Sequence, residues 1–167
     1  MHRKFILLIE DDEDHVALAT RALRDNRVVN EIVVKRDGAA ARDFLFALGE
    51  HAGRDTRECP QLILLDLKLP KLGGLELLGR IRGHDNTRLC PVVILTSSDQ
   101  EDDIARGYGL GANSYVRKPI DFDRFLAAMR EVSVYWLVLN EPPPLPGDGG
   151  PRSALAGDLP RPQASGR

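Results

Sequence analysis

The amino-acid sequence predicts an α/β domain with a doubly wound, five-stranded parallel sheet. Five short apolar or β-branched segments alternate with five segments whose apolar residues recur at helical spacing. The first, third and fourth of the short segments are apolar at consecutive positions, which is typical of strands buried on both faces. With 167 residues and 43% hydrophobic side chains, the chain is long enough for one such domain and its core.

The first half of the chain holds two strand–helix units. The run from Lys4 to Glu10 has the length of a strand, and Glu31 to Lys35 is short and rich in β-branched residues. Asp37 and Gly38 supply a turn after the second strand. The helices are indicated by apolar residues at helical spacing, which are Val16, Ala19, Ala22 and Leu23 in the first and Ala39, Ala40, Phe44, Leu45 and Leu48 in the second.

The third and fourth units follow a polar stretch from Gly49 to Glu58. The segments QLILLDL and PVVILTSS are predicted to be the third and fourth strands. Pro70 breaks the chain before LELLGRIR, which has helical periodicity. Asp99 is expected to cap a fourth helix from Gln100 to Tyr108.

The last unit and the segment after it define the predicted domain boundary. Ser114 to Arg117 is a short fifth strand, and Asp121 is positioned to cap the last helix. That helix carries apolar residues at Phe122, Phe125, Leu126, Met129, Val132 and Trp136. From residue 141 onward the sequence is rich in Pro and Gly, so we expect residues 141–167 to be disordered. The folded domain with its extended last helix is predicted over residues 1–140.

Charge and composition exclude several classes of function. The net charge is -2 and no run of Lys or Arg forms a basic patch, so we predict no binding of nucleic acid. The apolar run Phe5 to Ile9 is too short for a signal peptide, and no stretch approaches the length of a membrane span. We therefore expect a cytoplasmic protein. Cys59 and Cys90 precede consecutive strands and could come close together, but reduced thiols are expected in that compartment.

Four of the five predicted strands end in residues that can do chemistry. Ligands of doubly wound sheets bind beyond the carboxyl ends of the strands. The strand ends carry Glu10 and Asp11 on the first strand, Asp66 on the third, Thr96 on the fourth and Lys118 on the fifth. Carboxylates that converge repel one another, and a hard divalent cation relieves that repulsion. The sequence therefore predicts a Mg²⁺ site that includes Asp11 and Asp66.

At such a site Asp66 is predicted to be a nucleophile toward phosphorus. Thr96 offers a hydroxyl donor and Lys118 a positive charge, and both suit the oxygens of a phosphoryl group in transfer. Each residue also has an ordinary interpretation, because a strand-end Asp is commonly a helix cap, a strand Thr commonly packs, and a Lys is commonly solvated. The coincidence of four strand ends favours the site. Asp12 and Asp14 are assigned to the start of the first helix.

The segments LLIEDDED, LILLDLKLPKLGG, VVILTSS and SYVRKP together resemble the receiver domain of two-component response regulators. The resemblance covers Lys4 to about Trp136, in the family's order and at its spacing. It implies a flavodoxin-like fold with strand order 2-1-3-4-5. It also implies Mg²⁺ as the cofactor and a sensor histidine kinase as the partner that donates the phosphoryl group.

The same resemblance gives individual residues a role. Asp66 is the expected phosphoacceptor, and Thr96 and Lys118 are the expected partners of the phosphate. The metal site takes in Glu10, Asp11, which is the closer of that acidic pair, Asp66 and the backbone carbonyl of Lys68. Tyr115 lies at the family's switch aromatic and is expected to turn inward when Thr96 moves toward the phosphate. The peptide bond between Lys118 and Pro119 is expected to be cis.

Finer details are most similar to small single-domain regulators paired with phytochrome-type histidine kinases. The two features are the insertion from Gly49 to Glu58 and the apolar extension VYWLVLNEPPPLP. Similar regulators extend the last helix into an arm used for dimerisation, so we expect a homodimer. The candidate interface residues, which could instead face the core, are Phe125, Met129, Trp136 and Leu137.

Three other functions compete with a phosphorylation-dependent switch that is not an enzyme. A Mg²⁺-dependent phosphatase with an aspartate nucleophile would need a second Asp two residues after Asp66, where this chain has Lys68. A receiver-like interaction module that no longer takes phosphate is disfavoured because Asp66, Thr96 and Lys118 are all present. A DNA-binding regulator is disfavoured because no reading helix is predicted after Trp136.

Overall fold

The sheet of the protein is parallel, and its strands are ordered β2-β1-β3-β4-β5. This computed structural model describes residues 4–144. The strands are β1 (Phe5–Ile9), β2 (Glu31–Lys35), β3 (Leu62–Leu65), β4 (Val92–Thr96) and β5 (Ser114–Arg117). The predicted fold class and strand order are confirmed. All five carboxyl ends lie at one edge of the sheet because every neighbouring pair is parallel.

Five α-helices connect and cover the strands. They are α1 (Glu13–Asp25), α2 (Gly38–Leu45), α3 (Gly74–Gly83), α4 (Glu101–Gly109) and α5 (Phe122–Ser133). A short 3-10 helix occupies Gly49–His51, and a π-helical segment, Val134–Leu139, continues α5. Helices α1 and α5 each begin where a short polar side chain accepts a backbone N–H group. Asp121 caps α5, as predicted, and Asp12, which was assigned to the start of the first helix, caps α1.

The predicted cap of α4 is wrong. The N-cap residue of α4 is Gln100, whose side chain makes no capping hydrogen bond, so Asp99 lies one residue before the cap position. Its carboxylate is therefore not the acceptor for the first turn. The acidic first turn that the sequence suggested is present and consists of Glu101, Asp102 and Asp103.

Alternate residues of the buried strands supply two separate cores, one on each face of the sheet. Along β1, Leu7 packs on the face covered by α2 and α3, whereas Ile6 and Leu8 pack on the face covered by α1 and α5. Both faces of β1, β3 and β4 are buried. The rigid centre of the sheet fixes the positions of the residues that follow these three strands.

Two of the four residues predicted to form a dimer interface are buried in the core under the last helix. Phe125 and Met129 are 5% and 1% exposed in the core that α5 shares with α1, so they are corrected from interface candidates to core residues. They face inward because their four-residue spacing places both on the sheet side of α5. Trp136 and Leu137 are half-buried against the same core. The exposed apolar residues of this region are Val134, Tyr135, Val138 and Leu139.

Two other predictions about the chain meet different outcomes. Every peptide bond in the described residues is trans, so the expected cis bond between Lys118 and Pro119 is wrong; a proline lowers the preference for trans without reversing it. Most of the segment predicted to be disordered, residues 145–167, lies outside the described residues. Across residues 4–144, no helix has the length and apolar character needed to cross a bilayer.

Candidate functional site

Three carboxylates meet at the carboxyl ends of β1 and β3. A carboxylate oxygen from each of Glu10, Asp11 and Asp66 lies within 4.8 Å of the other two. The pairing of the strands causes this, because the backbone N–H of Asp66 donates a 3.0 Å hydrogen bond to the carbonyl of Ile9. Glu10 and Asp66 are buried, whereas Asp11 is exposed. The cluster therefore opens to solvent on the Asp11 side.

The carboxylate cluster is electrostatically unfavourable as it stands. Burial raises the pKa of Glu10, the hydrogen bond from Lys118 opposes that shift, and the neighbouring charge of Asp66 adds to it. Three carboxylates face one ammonium group that contacts two of them. Clustered hard oxygen donors with an excess of negative charge are the ligand set that Mg²⁺ and similar cations take. The residues present therefore fit a divalent cation.

Lys118 joins the end of β5 to this cluster. Its side chain is buried, and its Nζ lies 3.0 Å from Oδ2 of Asp66 and also donates to Oε2 of Glu10. The backbone N–H of Lys118 donates to the carbonyl of Thr96 at 2.8 Å, which holds the start of the following loop beside the end of β4. The structure thus brings Glu10, Asp66 and Lys118 into direct contact, as the strand-end prediction required.

His15 is a site neighbour that the sequence analysis missed. Its Nδ1 lies 3.0 Å from Nζ of Lys118 and 3.8 Å from Oε1 of Glu10. The backbone N–H of His15 donates to Oδ1 of the capping residue Asp12 at 3.0 Å, so the first turn of α1 holds the imidazole over the site. A sequence signal existed, because the N-cap Asp12 lies only three residues after the end of β1, which keeps the first turn of α1 near that strand end.

The turn after Asp66 depends on a glycine. The backbone N–H of Lys68 donates to Oδ1 of Asp66 at 3.3 Å, which places Lys68 beside the carboxylate. A Cβ at Gly74 would lie 2.3 Å from the carbonyl oxygen of Asp66 and 2.6 Å from Cα of Leu67. Only glycine permits this approach, so the first residue of α3 sets the course of the chain that carries Asp66.

Thr96 and Tyr115 belong to a hydrogen-bonded group on the other side of the site. Thr96 is fully buried, and its Oγ1 accepts from the backbone N–H of Ser98 at 3.4 Å. Tyr115 is half-buried, its hydroxyl donates to the carbonyl of Ser98 at 3.1 Å, and burial raises its pKa. The hydroxyl of Ser98 donates to Asp103 at 2.6 Å. Ser98 therefore connects the predicted switch pair, and Asp103 anchors it from α4.

The comparison with protein families decides the identity of the fold. A family model described as the response regulator receiver domain matches residues 6–130. The chain belongs to this family of receiver domains. The match begins at the second residue of β1, takes in the other four strands and ends within α5, so it includes every predicted site residue except those of the extension after residue 130.

Relatives of known sequence match over most of their length. The probable methanogenesis regulatory protein FilR2 of Methanothrix harundinacea is 41% identical over 138 residues, which cover 83% of this chain and 86% of FilR2. The response regulator Rcp1 of Synechocystis sp. is 36% identical over 134 residues, which cover 80% of this chain and 89% of Rcp1.

Solved receiver structures superpose closely on this receiver. The phosphorylated cyanobacterial phytochrome response regulator RcpA gives a TM-score of 0.78 at 35% identity and covers 86% of this chain and 100% of RcpA. The Mn²⁺-bound form of Rcp1 gives a TM-score of 0.78 at 35% identity and covers 84% and 99% of the two chains. The receiver fold and its membership in a signalling family are therefore established for this chain.

Proposed function

We propose that this receiver accepts a phosphoryl group on Asp66 from a sensor histidine kinase and changes its partner binding in response. The observation that carries the proposal is the direct contact of Lys118 with both Asp66 and Glu10 beside a third carboxylate, Asp11. A cation held against the attacking carboxylate offsets the charge that would repel an incoming phosphate. Two solved relatives support it, since RcpA was solved in a phosphorylated form and Rcp1 in a Mn²⁺-bound form.

In the proposed reaction a carboxylate oxygen of Asp66 attacks phosphorus in line with the bond to the donor nitrogen. The phosphorus–nitrogen bond breaks as the acyl phosphate forms, so the phosphoryl group moves from the kinase histidine to Asp66. Lys118 stabilises one phosphoryl oxygen with its ammonium group, and the hydroxyl of Thr96 donates to another. Glu10, Asp11, Asp66 and the carbonyl of Lys68 would hold Mg²⁺, which would neutralise negative charge at the phosphoryl oxygens.

The proposed switch is the Ser98-centred group that joins Thr96 and Tyr115. Movement of the Thr96 hydroxyl toward a phosphoryl oxygen would draw the backbone of Ser98 with it, because the two are linked by a hydrogen bond. Tyr115 donates to the carbonyl of that same residue. A shift at Ser98 therefore changes the support of the Tyr115 ring and, through Asp103, of α4.

The chain works as a signalling switch and not as an enzyme with turnover. Lys68 occupies the position where an aspartate-nucleophile phosphatase would carry its general acid, and its side chain is exposed. We place the protein in the cytoplasm, where a kinase of this type presents its phosphohistidine. We propose a phytochrome-type kinase as the donor, on the support of the described similarity to RcpA, a phytochrome response regulator.

The test of phosphoryl acceptance uses acetyl phosphate as a small donor. We expect the intact chain to gain about 80 Da with acetyl phosphate and Mg²⁺, and we expect the gain to disappear with EDTA or with Asp66→Asn. Ser97→Ala is a matched control at the exposed position between Thr96 and Ser98, and it should still gain the mass. A wild-type chain that stays unmodified, or an Asp66→Asn variant that is modified equally, would overturn the proposal.

A homodimer through the extension of α5 is the second part of the proposal. The π-helical segment exposes Val138 and Leu139 at 74% and 69%, next to the half-buried Trp136. Such neighbouring apolar side chains favour a partner surface. We expect a dimer by light scattering that Val138→Asp converts to a monomer and that Ile120→Asp, at an exposed apolar residue outside this helical segment, leaves intact. A monomeric wild type, with and without phosphorylation, would contradict it.

A further inference from the structure

The two cysteines lie side by side at the amino ends of β3 and β4, at the edge of the sheet opposite the carboxylate cluster. β3 and β4 are neighbouring parallel strands in which Ile63 pairs with Val92. Cys59 and Cys90 come shortly before these strands, both thiols are free, and Cys59 packs against the buried cluster that contains Cys90. A side-chain hydrogen bond joins the two thiols. The two thiols are therefore neighbours that are not joined by a disulfide.

The backbone holds both cysteines in place. Each is followed by a proline, Pro60 or Pro91, which restricts the preceding cysteine to extended conformations. The carbonyl of Cys90 accepts from Arg82 at 2.8 Å, and its N–H donates to the carbonyl of Thr87 at 2.9 Å. Both cysteines are therefore carried on chain segments of restricted conformation.

The two thiols differ in burial and in pKa: Cys59 is half-buried with a lowered pKa, and Cys90 is buried with a raised pKa. Cys59 is half-buried, and its thiol donates to the carbonyl of Asn86 at 2.6 Å. The hydrogen bond from Cys90 lowers the pKa of Cys59 most, and the positive charge of Arg54 lowers it further against the effect of burial. Cys90 is 4% exposed, and its pKa is raised by its hydrogen bond to Cys59 and by burial.

Arg54 is held at this edge of the sheet by contacts with two aromatic rings and two backbone carbonyls. Its guanidinium lies over the rings of Phe44 and Phe5, at 4.3 and 5.6 Å from their centroids. It also donates to the carbonyl of Phe44 at 3.3 Å and to the carbonyl of Glu58, the residue before Cys59. The charge beside Cys59 is therefore fixed by contacts that do not depend on the thiols.

We propose that Cys59 and Cys90 form a peroxide-sensitive modification site that closes to an intramolecular disulfide. The Cys59 thiolate attacks one oxygen of a hydroperoxide, the oxygen–oxygen bond breaks, and Cys59 becomes a sulfenic acid while the other oxygen leaves as water or an alcohol. The sulfur of Cys90 then attacks the sulfur of Cys59, and its proton leaves with the displaced hydroxide as water. The two thiols are oxidised and the peroxide is reduced.

The disulfide encloses the segment from Cys59 to Cys90, which contains β3, Asp66 and α3. Closing this loop restricts the unfolded chain and so favours the folded one. We expect the thermal midpoint of the oxidised chain to rise by about 5–10 °C over that of the reduced chain.

The experiment treats the reduced, full-length chain with increasing hydrogen peroxide and weighs it intact. We expect a loss of about 2 Da, a Cys59–Cys90 cross-link in peptides mapped without reduction, and return to the starting mass with dithiothreitol. In Cys90→Ser we expect a dimedone adduct on Cys59. In Cys59→Ser we expect Cys90 to stay unmodified at the same dose, and the double serine variant should show no mass change and no shift in midpoint.

Three results would overturn the proposal. The first is a wild-type chain that keeps both thiols, and the second is oxidation that yields only disulfides between chains. The third is a Cys90 that reacts as fast in Cys59→Ser as Cys59 does in Cys90→Ser. The first two results are read from the mass and the peptide map of the wild-type chain. They can therefore be obtained even if a serine variant does not fold.

Discussion

The ammonium group of Lys118 lies 3.0 Å from Oδ2 of Asp66, and the same group pairs with Glu10. These side chains start from the ends of three different strands and are all almost fully buried. A buried cation shared by two carboxylates balances charges that none of the three could carry alone. The contact therefore links the stability of the fold to the electrostatics of the proposed phosphoryl site.

Removing this cation should destabilise the protein and impair phosphorylation. In Lys118→Ala the carboxylates of Glu10 and Asp66 stay buried without their partner, which costs about 3–5 kcal/mol of unfolding free energy. Because a divalent cation would replace part of the lost charge, we expect added Mg²⁺ to restore more stability to the variant than to the wild type. Urea denaturation with and without Mg²⁺ measures the loss of stability and its recovery, and the mass gain with acetyl phosphate measures phosphorylation.

Lys68→Ala is the control for Lys118→Ala. It removes an exposed lysine from the same edge of the sheet and keeps the backbone N–H that donates to Asp66. We expect little change in stability and no added response to Mg²⁺. Equal losses of unfolding free energy in Lys118→Ala and Lys68→Ala would show that the buried contacts of Lys118 do not stabilise the fold.

The sheet and the main site residues could be predicted because they follow from local pattern. Apolar runs of strand length define β1, β3 and β4, and parallel pairing then brings their polar ends together. The position of His15 was missed and that of Asp103 could not be predicted, because each depends on where a helix begins relative to a strand end. The side of α5 that packs on the sheet could not be predicted either, because apolar residues lie on more than one face of this helix and its extension.

Gly74 should be intolerant of any side chain. In Gly74→Ala the new Cβ would lie 2.3 Å from the carbonyl of Asp66, so the backbone that carries the phosphoacceptor must move. We expect a loss of about 1–3 kcal/mol in unfolding free energy and slower phosphorylation. Gly83→Ala, at the other end of α3 with no atom within 4 Å of its Cβ, should be neutral or stabilising by up to about 1 kcal/mol. Equal effects of the two substitutions on urea midpoints would refute this view of Gly74.

The hydroxyl of Tyr115 should matter for the resting position of the switch. Tyr115→Phe removes the hydrogen bond to the carbonyl of Ser98 and should cost about 1 kcal/mol. Tyr108→Phe, at an exposed tyrosine, is the control and should change stability little. Phosphorylation by acetyl phosphate should continue in Tyr115→Phe, because the hydroxyl does not contact Asp66. A Tyr115→Phe variant that cannot be phosphorylated would contradict the assigned role.

The cap of α2 gives a pH dependence of known sign. Asp37 accepts the backbone N–H of Ala40 at 2.7 Å, which lowers its pKa below the usual 3.8, and its ion pair with Lys71 lowers it further. A lowered pKa in the folded chain means that the carboxylate contributes fully above pH 3.8 and loses its contribution as pH falls through the lowered value. The stability advantage of the wild type over Asp37→Asn should therefore shrink as pH falls below 3.8.

Asp37→Ala separates the cap from the charge. It removes the acceptor altogether and should cost about 1 kcal/mol relative to Asp37→Asn, by a similar amount at each pH. Thermal unfolding of the three chains from about pH 3 to 6 measures both differences. An advantage of the wild type over Asp37→Asn that grows on acidification would show that the sign is wrong.

The position of the phosphoryl group tests the central claim most directly. Borohydride reduces an aspartyl phosphate to homoserine, so the phosphorylated chain can be reduced, digested and sequenced by mass spectrometry. We predict homoserine at position 66 in the wild type, and none there when acetyl phosphate or Mg²⁺ is left out. Homoserine at Asp11 or Asp12 in place of Asp66, or a phosphorylated chain that yields no homoserine, would contradict the assignment of Asp66 as the phosphoacceptor.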